Sequence, residues 1–225
     1  MPQIYLLRHA ESEANAKGVL AGRDNSVNLT AKGFKDSRKI KSRLAKIEFT
    51  RVYSSPITRC VQTVTPYLDS NPRINVTLTE SLIEMDYGTW SGKKLAALSK
   101  KKDWSLIQNR PAEFTFPNGE GFQELRRRVK SFLNSMIDTE GPILIVSHGD
   151  IIKMALTITL DLPLNKFQNF IIAPASISVI DYSQKSKSVI STNQRVLLCI
   201  LPVCNMNLEK VQFPFYESQK AFIGL

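Results

Sequence analysis

The chain has only two histidines, and each stands at the end of a short apolar run. His9 follows residues 4–7 after a single arginine, and His148 follows residues 143–146 after a single serine. Apolar runs of this length predict β-strands. In open α/β sheets ligands bind at the carboxyl ends of strands, so two imidazoles at two such ends can meet in one site. An imidazole placed there can act as a nucleophile.

Two arginines accompany the histidines. Arg8 directly precedes His9, and Arg59 follows a third predicted strand at residues 51–53. Between them, Ser54-Ser55-Pro56 predicts a helix start, with a serine as the cap and proline in the first turn. Guanidinium groups and helix N-termini both donate hydrogen bonds to phosphate oxygens. These residues therefore predict a pocket shaped for a phosphoryl group.

The elements that must position these residues alternate between strands and helices. Thr30 is placed to cap one helix, and residues 122–137 have apolar side chains at helical spacing. The unbroken apolar run at 143–146 predicts a strand covered on both faces. Further strands are predicted at 177–182 and 189–198. The alternation predicts an α/β fold, a three-layer α/β/α sandwich with a mostly parallel sheet.

The chain is long enough for one domain, residues 1–225, with a large buried core. Its least regular part is residues 93–121, which contain Pro111, Pro117 and Gly119. We expect this part to be a lid or an insertion over one end of the fold. The tail after Asn205 has no clear period, and we assign it no element.

The composition is that of a globular protein with a strong positive charge. Thirty Lys and Arg against 20 Asp and Glu give a formal charge of +10. Such a charge favours anionic partners, including phosphate esters, nucleic acid and acidic membranes. The basic stretch from Lys32 to Lys46 lacks interleaved aromatic residues, which favours a solvated helix face over a nucleic-acid site. We therefore expect no nucleic-acid partner.

The cysteines and the lack of long apolar runs indicate the cellular compartment in which we expect the protein. Cys60, Cys199 and Cys204 cannot all pair and show no CxxC spacing, which favours a reducing cytoplasm. We expect Cys60 to be a buried structural thiol. The sequence shows no signal-peptide pattern and no apolar run long enough to cross a membrane. We accordingly expect a cytoplasmic protein without a membrane partner.

Six segments together resemble the histidine phosphatase superfamily, also called the phosphoglycerate mutase-like family. Each segment alone is weak evidence for the family, but the occurrence of all six in this order is highly specific to it. The segments around Trp104, Phe167 and Pro174 further resemble an actinobacterial branch labelled as phosphomutases. The six segments are Leu7-Arg8-His9-Ala10-Glu11-Ser12 with Asn15, Leu29-Thr30-Ala31-Lys32-Gly33, Ser54-Ser55-Pro56 with Arg59 and Gln62-Thr63, Glu84-Met85-Asp86-Tyr87-Gly88, Pro117-Asn118-Gly119-Glu120 and Ser147-His148-Gly149-Asp150.

The resemblance implies a phosphoglycerate mutase-like fold and a role for each matching residue. It implies that His9 takes the phosphoryl group and that Glu84 is the general acid, with Glu80 and Asp86 as rival carboxylates. Cationic donors can neutralise phosphoryl charge without a metal ion, so we expect neither a metal nor a cofactor. The residues that match phosphate-holding positions are Arg8, Asn15, Arg59 and His148.

One residue departs from the family pattern. Ala10 stands where the family usually has glycine, close to the expected phosphate. An alanine is compatible with this position if its φ angle is negative. The departure therefore leaves the predicted site intact on that condition.

The sequence predicts a cofactor-independent phosphatase that hydrolyses a small phosphomonoester through a phosphohistidine on His9. A phosphomutase is the second hypothesis, since it would use the same residues. Ala14-Asn15 stands where glycolytic members have a Trp-Asn pair, which favours hydrolysis. A third hypothesis is a non-catalytic module that binds phosphate or nucleic acid, but such a module needs no nucleophile and acid together. The expected partner is a small phosphorylated metabolite, and assembly into a homodimer is left open.

Overall fold

The computed structural model describes residues 2–195, and these residues form one six-stranded sheet in the order β3-β2-β4-β1-β5-β6. The β3-β2, β2-β4 and β4-β1 pairs are parallel, whereas β5 pairs antiparallel with both β1 and β6. The predicted, mostly parallel sheet is thus confirmed. The strands are β1 (Gln3–Arg8), β2 (Arg51–Ser54), β3 (Val76–Leu78), β4 (Ile143–Ser147), β5 (Ile177–Tyr182) and β6 (Lys187–Gln194).

Helices cover both faces of the sheet, because alternate residues of the central strands point to opposite layers. Ile4 and Leu6 of β1 pack in one apolar cluster with the helices of one layer, whereas Tyr5 and Leu7 pack in another cluster with the helices of the other. Helices α6 and α7 belong to the first layer, and α2 and α3 belong to the second. The α-helices are α1 (Glu13–Ala16), α2 (Ala31–Leu44), α3 (Thr58–Leu68), α4 (Leu95–Leu98), α5 (Lys102–Asn109), α6 (Phe122–Asn134) and α7 (Gly149–Thr159).

The helix caps follow the sequence in one case and not in another. Thr30 caps α2 as predicted, with its hydroxyl accepting a hydrogen bond from Gly33 N–H at 2.9 Å. Helix α3 begins later than predicted, at Thr58, and its N-cap is Ile57 without a side-chain hydrogen bond. The predicted serine cap is therefore wrong. The hydroxyl of Ser55 accepts from the backbone N–H of Ile57 at 3.3 Å, before the helix, and contacts His148.

Residues 93–121 form short elements rather than a long irregular loop. They contain α4, α5 and a single 3₁₀ turn at Pro111–Glu113. Strand β6 begins slightly before the predicted strand and ends at Gln194, so residues 196–198 of that prediction lie outside the described residues. Cys199, Cys204 and the unassigned tail lie outside them as well. No helix formed by residues 2–195 is both long and apolar enough to cross a membrane.

Candidate active site

The carboxyl ends of β1 and β4 bring the two histidines together, as the sequence predicts. His9 directly follows β1 and His148 directly follows β4, and these strands are parallel neighbours in the sheet. The backbone N–H of His9 donates to the carbonyl of Ser147 at 2.9 Å, which extends the ladder to the site. The two imidazole centroids lie 5.3 Å apart with their planes 63° apart.

A cavity of about 440 Å³ opens over this end of the sheet. Most of the predicted site residues line it, but His148 does not, because it is fully buried below the cavity surface. The structure thus brings all six predicted residues to one place, with five at the cavity wall and one beneath it. The five at the wall are Arg8, His9, Asn15, Arg59 and Glu84.

The imidazole of His9 is held as a neutral ring with one reactive nitrogen. Its Nδ1 lies 2.8 Å from the carbonyl oxygen of Ala10, so the ring proton is placed on Nδ1. Burial lowers the pKa of His9 well below its ordinary value, and the charges of Arg8 and Arg59 act in the same direction. A neutral imidazole protonated on Nδ1 has its free electron pair on Nε2. The Nε2 atom is therefore the one able to attack phosphorus.

The backbone around His9 explains why alanine is tolerated next to it. Ala10 N–H donates to the hydroxyl of Thr63 at 2.9 Å, and Thr63 donates to the carbonyl of Arg59 at 2.6 Å. Four described non-glycine residues have a positive φ, and Ala10 is not among them. The condition for alanine at this position is therefore met.

Arg59 and His148 form a buried pair at the base of the cavity. Nη2 of Arg59 lies 3.2 Å from Nδ1 of His148 and donates to the carbonyl of Gly22 at 2.7 Å. Nε2 of His148 lies 2.8 Å from the hydroxyl of Ser55. Burial lowers the pKa of His148 well below its ordinary value, and Arg59 acts in the same direction. His148 is thus a neutral ring that helps to fix the guanidinium of Arg59.

Arg8 supplies a second guanidinium with spare hydrogen-bonding capacity. One of its Nη atoms donates to the carbonyl of Ile172, while its buried Nε has no hydrogen-bond partner among the described residues. A buried donor without a partner is costly unless a ligand satisfies it. The site therefore has an open donor for an anion.

Asn15 is held by a short helical turn. Its side-chain oxygen accepts from the backbone N–H of Ser12 at 3.1 Å, in a capping box at the start of α1. The oxygen is occupied by this contact, so the amide NH₂ group is the part left to donate hydrogen bonds. Asn15 can thus present a donor to the cavity.

Glu84 is a buried carboxyl group whose acidity is tuned to neutral pH. Burial raises its pKa to about 7, and the negative charge of Asp150 adds to this effect. Arg59 and the N–H of Met85, which donates to Glu84 Oε1 at 2.9 Å, oppose the rise. A group with such a pKa can give up and recover a proton near neutrality. Of the three candidate carboxylates, it is Glu84 that lines the cavity.

An ion-pair network holds the loop that carries Glu84. Arg128 contacts both carboxylate oxygens of Glu120, at 3.1 and 2.9 Å, and also donates to the carbonyls of Ser81 and Ile83. Arg23 donates to the carbonyl of Glu84 at 2.9 Å. These contacts fix both ends of the segment before Glu84, so its carboxyl group needs little reorganisation.

Two polar residues next to Glu84 were not predicted as part of the site. Tyr87 donates to Asp150 Oδ2 at 2.8 Å, and both residues line the cavity. Asp150 in turn lies 3.5 Å from Nζ of Lys153. Tyr87 and Asp150 belong to the motifs Glu84–Gly88 and Ser147–Asp150, which the sequence analysis had singled out. Their contact with each other could not be predicted from the sequence, because it depends on tertiary packing.

Cys60 lies directly behind the site. Its Sγ is 3.5 Å from Nε2 of His148, and the residue is fully buried. Burial raises the pKa of the thiol to about 12, so it stays protonated and unreactive at neutral pH. The prediction of a buried structural thiol is confirmed.

The family model described as histidine phosphatase superfamily (branch 1) matches residues 4–195 of the chain. The chain belongs to the histidine phosphatase superfamily. This membership confirms the family, the enzyme class and the fold that the sequence predicted. The finer resemblance to an actinobacterial branch stays a prediction.

Relatives of this histidine phosphatase include both phosphatases and mutases by name. It is 31% identical over 188 residues to the probable phosphoglycerate mutase GpmB of Proteus mirabilis, covering 81% of this chain and 86% of the relative. It is 27% identical over 197 residues to phosphoserine phosphatase 1 of Hydrogenobacter thermophilus, covering 86% of this chain and 92% of the relative. The crystal structure of the alpha-ribazole phosphatase from Shigella flexneri superposes with a TM-score of 0.77 at 27% sequence identity, covering 87% of this chain and 98% of that one.

Proposed function

We propose that this histidine phosphatase hydrolyses a small phosphomonoester in two steps through a phosphohistidine on His9. The observation that carries the proposal is the state of His9, a neutral imidazole with its Nδ1 bound to Ala10 and no described residue bonded to Nε2. A nucleophile prepared in this way beside two guanidinium groups serves phosphoryl transfer. A module that only binds phosphate has no need of it.

In the first step, Nε2 of His9 attacks the phosphorus atom. The new N–P bond forms as the ester P–O bond breaks, and the alcohol oxygen takes the proton of Glu84. With a pKa of about 7, Glu84 carries that proton in a large fraction of molecules at neutral pH. The products of this step are the free alcohol, an ionised Glu84 and phosphohistidine.

In the second step, a water molecule replaces the alcohol. Glu84, now a carboxylate, removes a proton from the water as its oxygen attacks phosphorus. The N–P bond breaks, orthophosphate leaves, and both His9 and Glu84 return to their starting states. One carboxyl group thus serves first as acid and then as base.

Side chains of the protein supply the charge that stabilises the transferring group. In this proposal Arg8, Arg59 and the amide of Asn15 bind the equatorial oxygens of the phosphoryl group. His148 lies beneath these oxygens, with Nδ1 engaged by Arg59 and Nε2 by Ser55, and holds Arg59 in place. Two guanidinium groups fixed in a buried site stabilise the developing charge without reorganising. We also propose that residues 1–225 act as one domain, with residues 93–121 as the lid over the cavity.

The test is to trap the intermediate. Rapid quenching during turnover of a ³²P-labelled ester should leave label on His9 that is stable in alkali and labile in acid, as expected of an N–P bond. His9→Ala should lose both the label and nearly all turnover, whereas substitution of the rival carboxylate Glu80 by glutamine should keep both. Wild-type turnover in His9→Ala would overturn the covalent mechanism.

A further inference from the structure

The part of the cavity away from the phosphate-holding residues has an apolar wall built by two separate segments. Trp104 and Ile107 of α5 form one side. Phe170 and Ile171, which follow the 3₁₀ turn Leu164–Asn169, form another. Because these residues come from different parts of the chain, the apolar character is a property of the cavity and not of one segment.

Two apolar residues that line the cavity, one of this wall and one of α4, have unusually exposed side chains. Among residues 2–195 five large hydrophobic side chains are exposed, and two of the five, Leu95 at 40% and Ile171 at 80%, line this cavity. Exposed apolar side chains gathered at a cavity indicate a surface that a ligand covers. The wall therefore fits the body of an apolar group rather than solvent alone.

The charges of the cavity exclude a second strong anion site. Within the described part of the chain, the cationic side chains that line it are Arg8, Arg59 and Lys153. The ammonium group of Lys153 lies 3.5 Å from Asp150, donates to Gln168 at 3.0 Å and stacks 5.2 Å from the ring centroid of Phe167. A substrate carboxylate next to the phosphate would thus meet no uncommitted cation, and burying it unpaired is costly.

From the wall and its charges we infer that the preferred substrates are phosphomonoesters whose alcohol carries an apolar, ring-bearing body and no carboxylate. The inference rests on the proposed function and adds the substrate class. The phosphoryl group lies at the histidines, and the ring lies between Trp104 and Ile171. Phosphoserine and phosphoglycerate, which are small and carry a carboxylate, are poor substrates by this reasoning.

The test compares two phosphate esters that have leaving groups of similar basicity but differ in whether the alcohol carries a ring. 3-Phenylpropyl phosphate and n-propyl phosphate release alkoxides of similar basicity, so a difference in kcat/KM reports binding of the ring. We expect the phenylpropyl ester to have a kcat/KM at least about tenfold higher than the propyl ester, the scale on which apolar pockets discriminate. It should exceed phosphoserine and 3-phosphoglycerate by a larger factor.

A pair of variants locates the effect. Ile171→Ser should lower kcat/KM for the phenylpropyl ester at least about threefold more than for the propyl ester, since the side chain contributes only apolar contact to the ring. Because Ile171 is 80% exposed, the substitution does not threaten folding. Leu160→Ser is the matched control, an exposed apolar residue outside the cavity, and should change neither ester.

Three outcomes would overturn the inference. They are equal kcat/KM for the two alkyl esters, a preference for phosphoserine or phosphoglycerate, and a ring preference that survives both Ile171→Ser and Trp104→Ala. Each of them leaves the proposed phosphatase function standing. Failure to hydrolyse any of the esters would instead overturn that function, and the substrate class with it.

Discussion

Nη2 of Arg59 lies 3.2 Å from Nδ1 of His148, and this contact determines which nitrogen of His148 carries the proton. A guanidinium can only donate, so Nδ1 must accept and the proton of His148 lies on Nε2, facing the hydroxyl of Ser55 at 2.8 Å. His148 is therefore neutral, in line with its lowered pKa. The positive charge at the base of the cavity comes from Arg59 and Arg8.

Arg59→Lys tests whether the planar guanidinium of Arg59 is needed, since lysine keeps the positive charge but lacks the two parallel N–H donors. The guanidinium contacts Gly22, Asp24 and His148 together, and a lysine ammonium cannot reproduce these contacts while also binding two phosphate oxygens. We expect kcat/KM to fall at least about a hundredfold, as for the loss of a preorganised donor. Arg127→Lys, at an exposed site on α6, is the control and should change nothing. A loss of less than threefold in Arg59→Lys would show that charge alone suffices.

Glu84→Gln should slow esters with poor leaving groups far more than 4-nitrophenyl phosphate, because only the former need a proton on the leaving oxygen. The pKa of Glu84 is raised to about 7, so the acid form is present below that pH and is lost above it. For an alkyl phosphate, wild-type kcat/KM should therefore fall as the pH rises through about 7. The variant should lack this fall. Equal losses on both esters would move the acid role to another carboxylate.

Chelation should leave turnover unchanged. The proposed charge neutralisation is done by the guanidinium groups of Arg8 and Arg59 and needs no metal ion. The measurement is the rate of phosphate release after dialysis against EDTA, with and without added Mg²⁺, Mn²⁺ or Zn²⁺. A loss of activity that a divalent ion restores would show that the electrostatic stabiliser is a metal ion.

The sequence predicted the fold and the position of four of the six candidate site residues, Arg8, His9, Arg59 and His148, because both depend on local patterns. Unbroken apolar runs mark β1 and β4, and the polar residues at their ends must meet since parallel strands end at one edge of the sheet. Glu84 and Asn15 are different, because no periodicity marks them and only the family resemblance pointed to them. The predicted cap of α3 failed because the helix begins at Thr58, so the Ser55 hydroxyl, which accepts from Ile57 N–H at 3.3 Å and contacts His148, lies before the cap position.

Contacts between distant segments could not be predicted. Glu120 and Arg128 lie eight residues apart, but their joint contact with the 81–86 segment depends on how α6 packs under it. The apolar wall is a second example, since only tertiary packing brings Trp104 and Ile171 to the lining of one cavity. Residues 93–121 were predicted only as a lid or insertion, since short helices such as α4 carry too little periodic signal.

Gly88→Ala should destabilise the protein strongly through the loop that carries Glu84. Gly88 has a φ of +49°, and a Cβ there would lie 2.1 Å from the carbonyl oxygen of Pro117. Gly18 has a similar φ of +61° with no atom within 4 Å of its Cβ position, so Gly18→Ala measures the backbone strain alone. We expect losses in the free energy of unfolding of about 1 kcal/mol for Gly18→Ala and about 3 kcal/mol for Gly88→Ala. Equal losses in urea denaturation would show that the loop moves aside freely.

Hydrolysis and mutase activity differ only in the acceptor of the phosphoryl group, so the last experiment follows both products at once. If water is the acceptor, incubation with 2- or 3-phosphoglycerate should release orthophosphate without exchange between the isomers. The rate of orthophosphate release from 3-phenylpropyl phosphate should be higher, because its ring fits the apolar wall. Its alcohol has no second hydroxyl, so this ester reports hydrolysis alone. ³¹P NMR of the mixture resolves both isomers and orthophosphate. Isomer exchange that outruns phosphate release would identify a mutase, in which the departing alcohol stays in the cavity long enough to be phosphorylated again by His9.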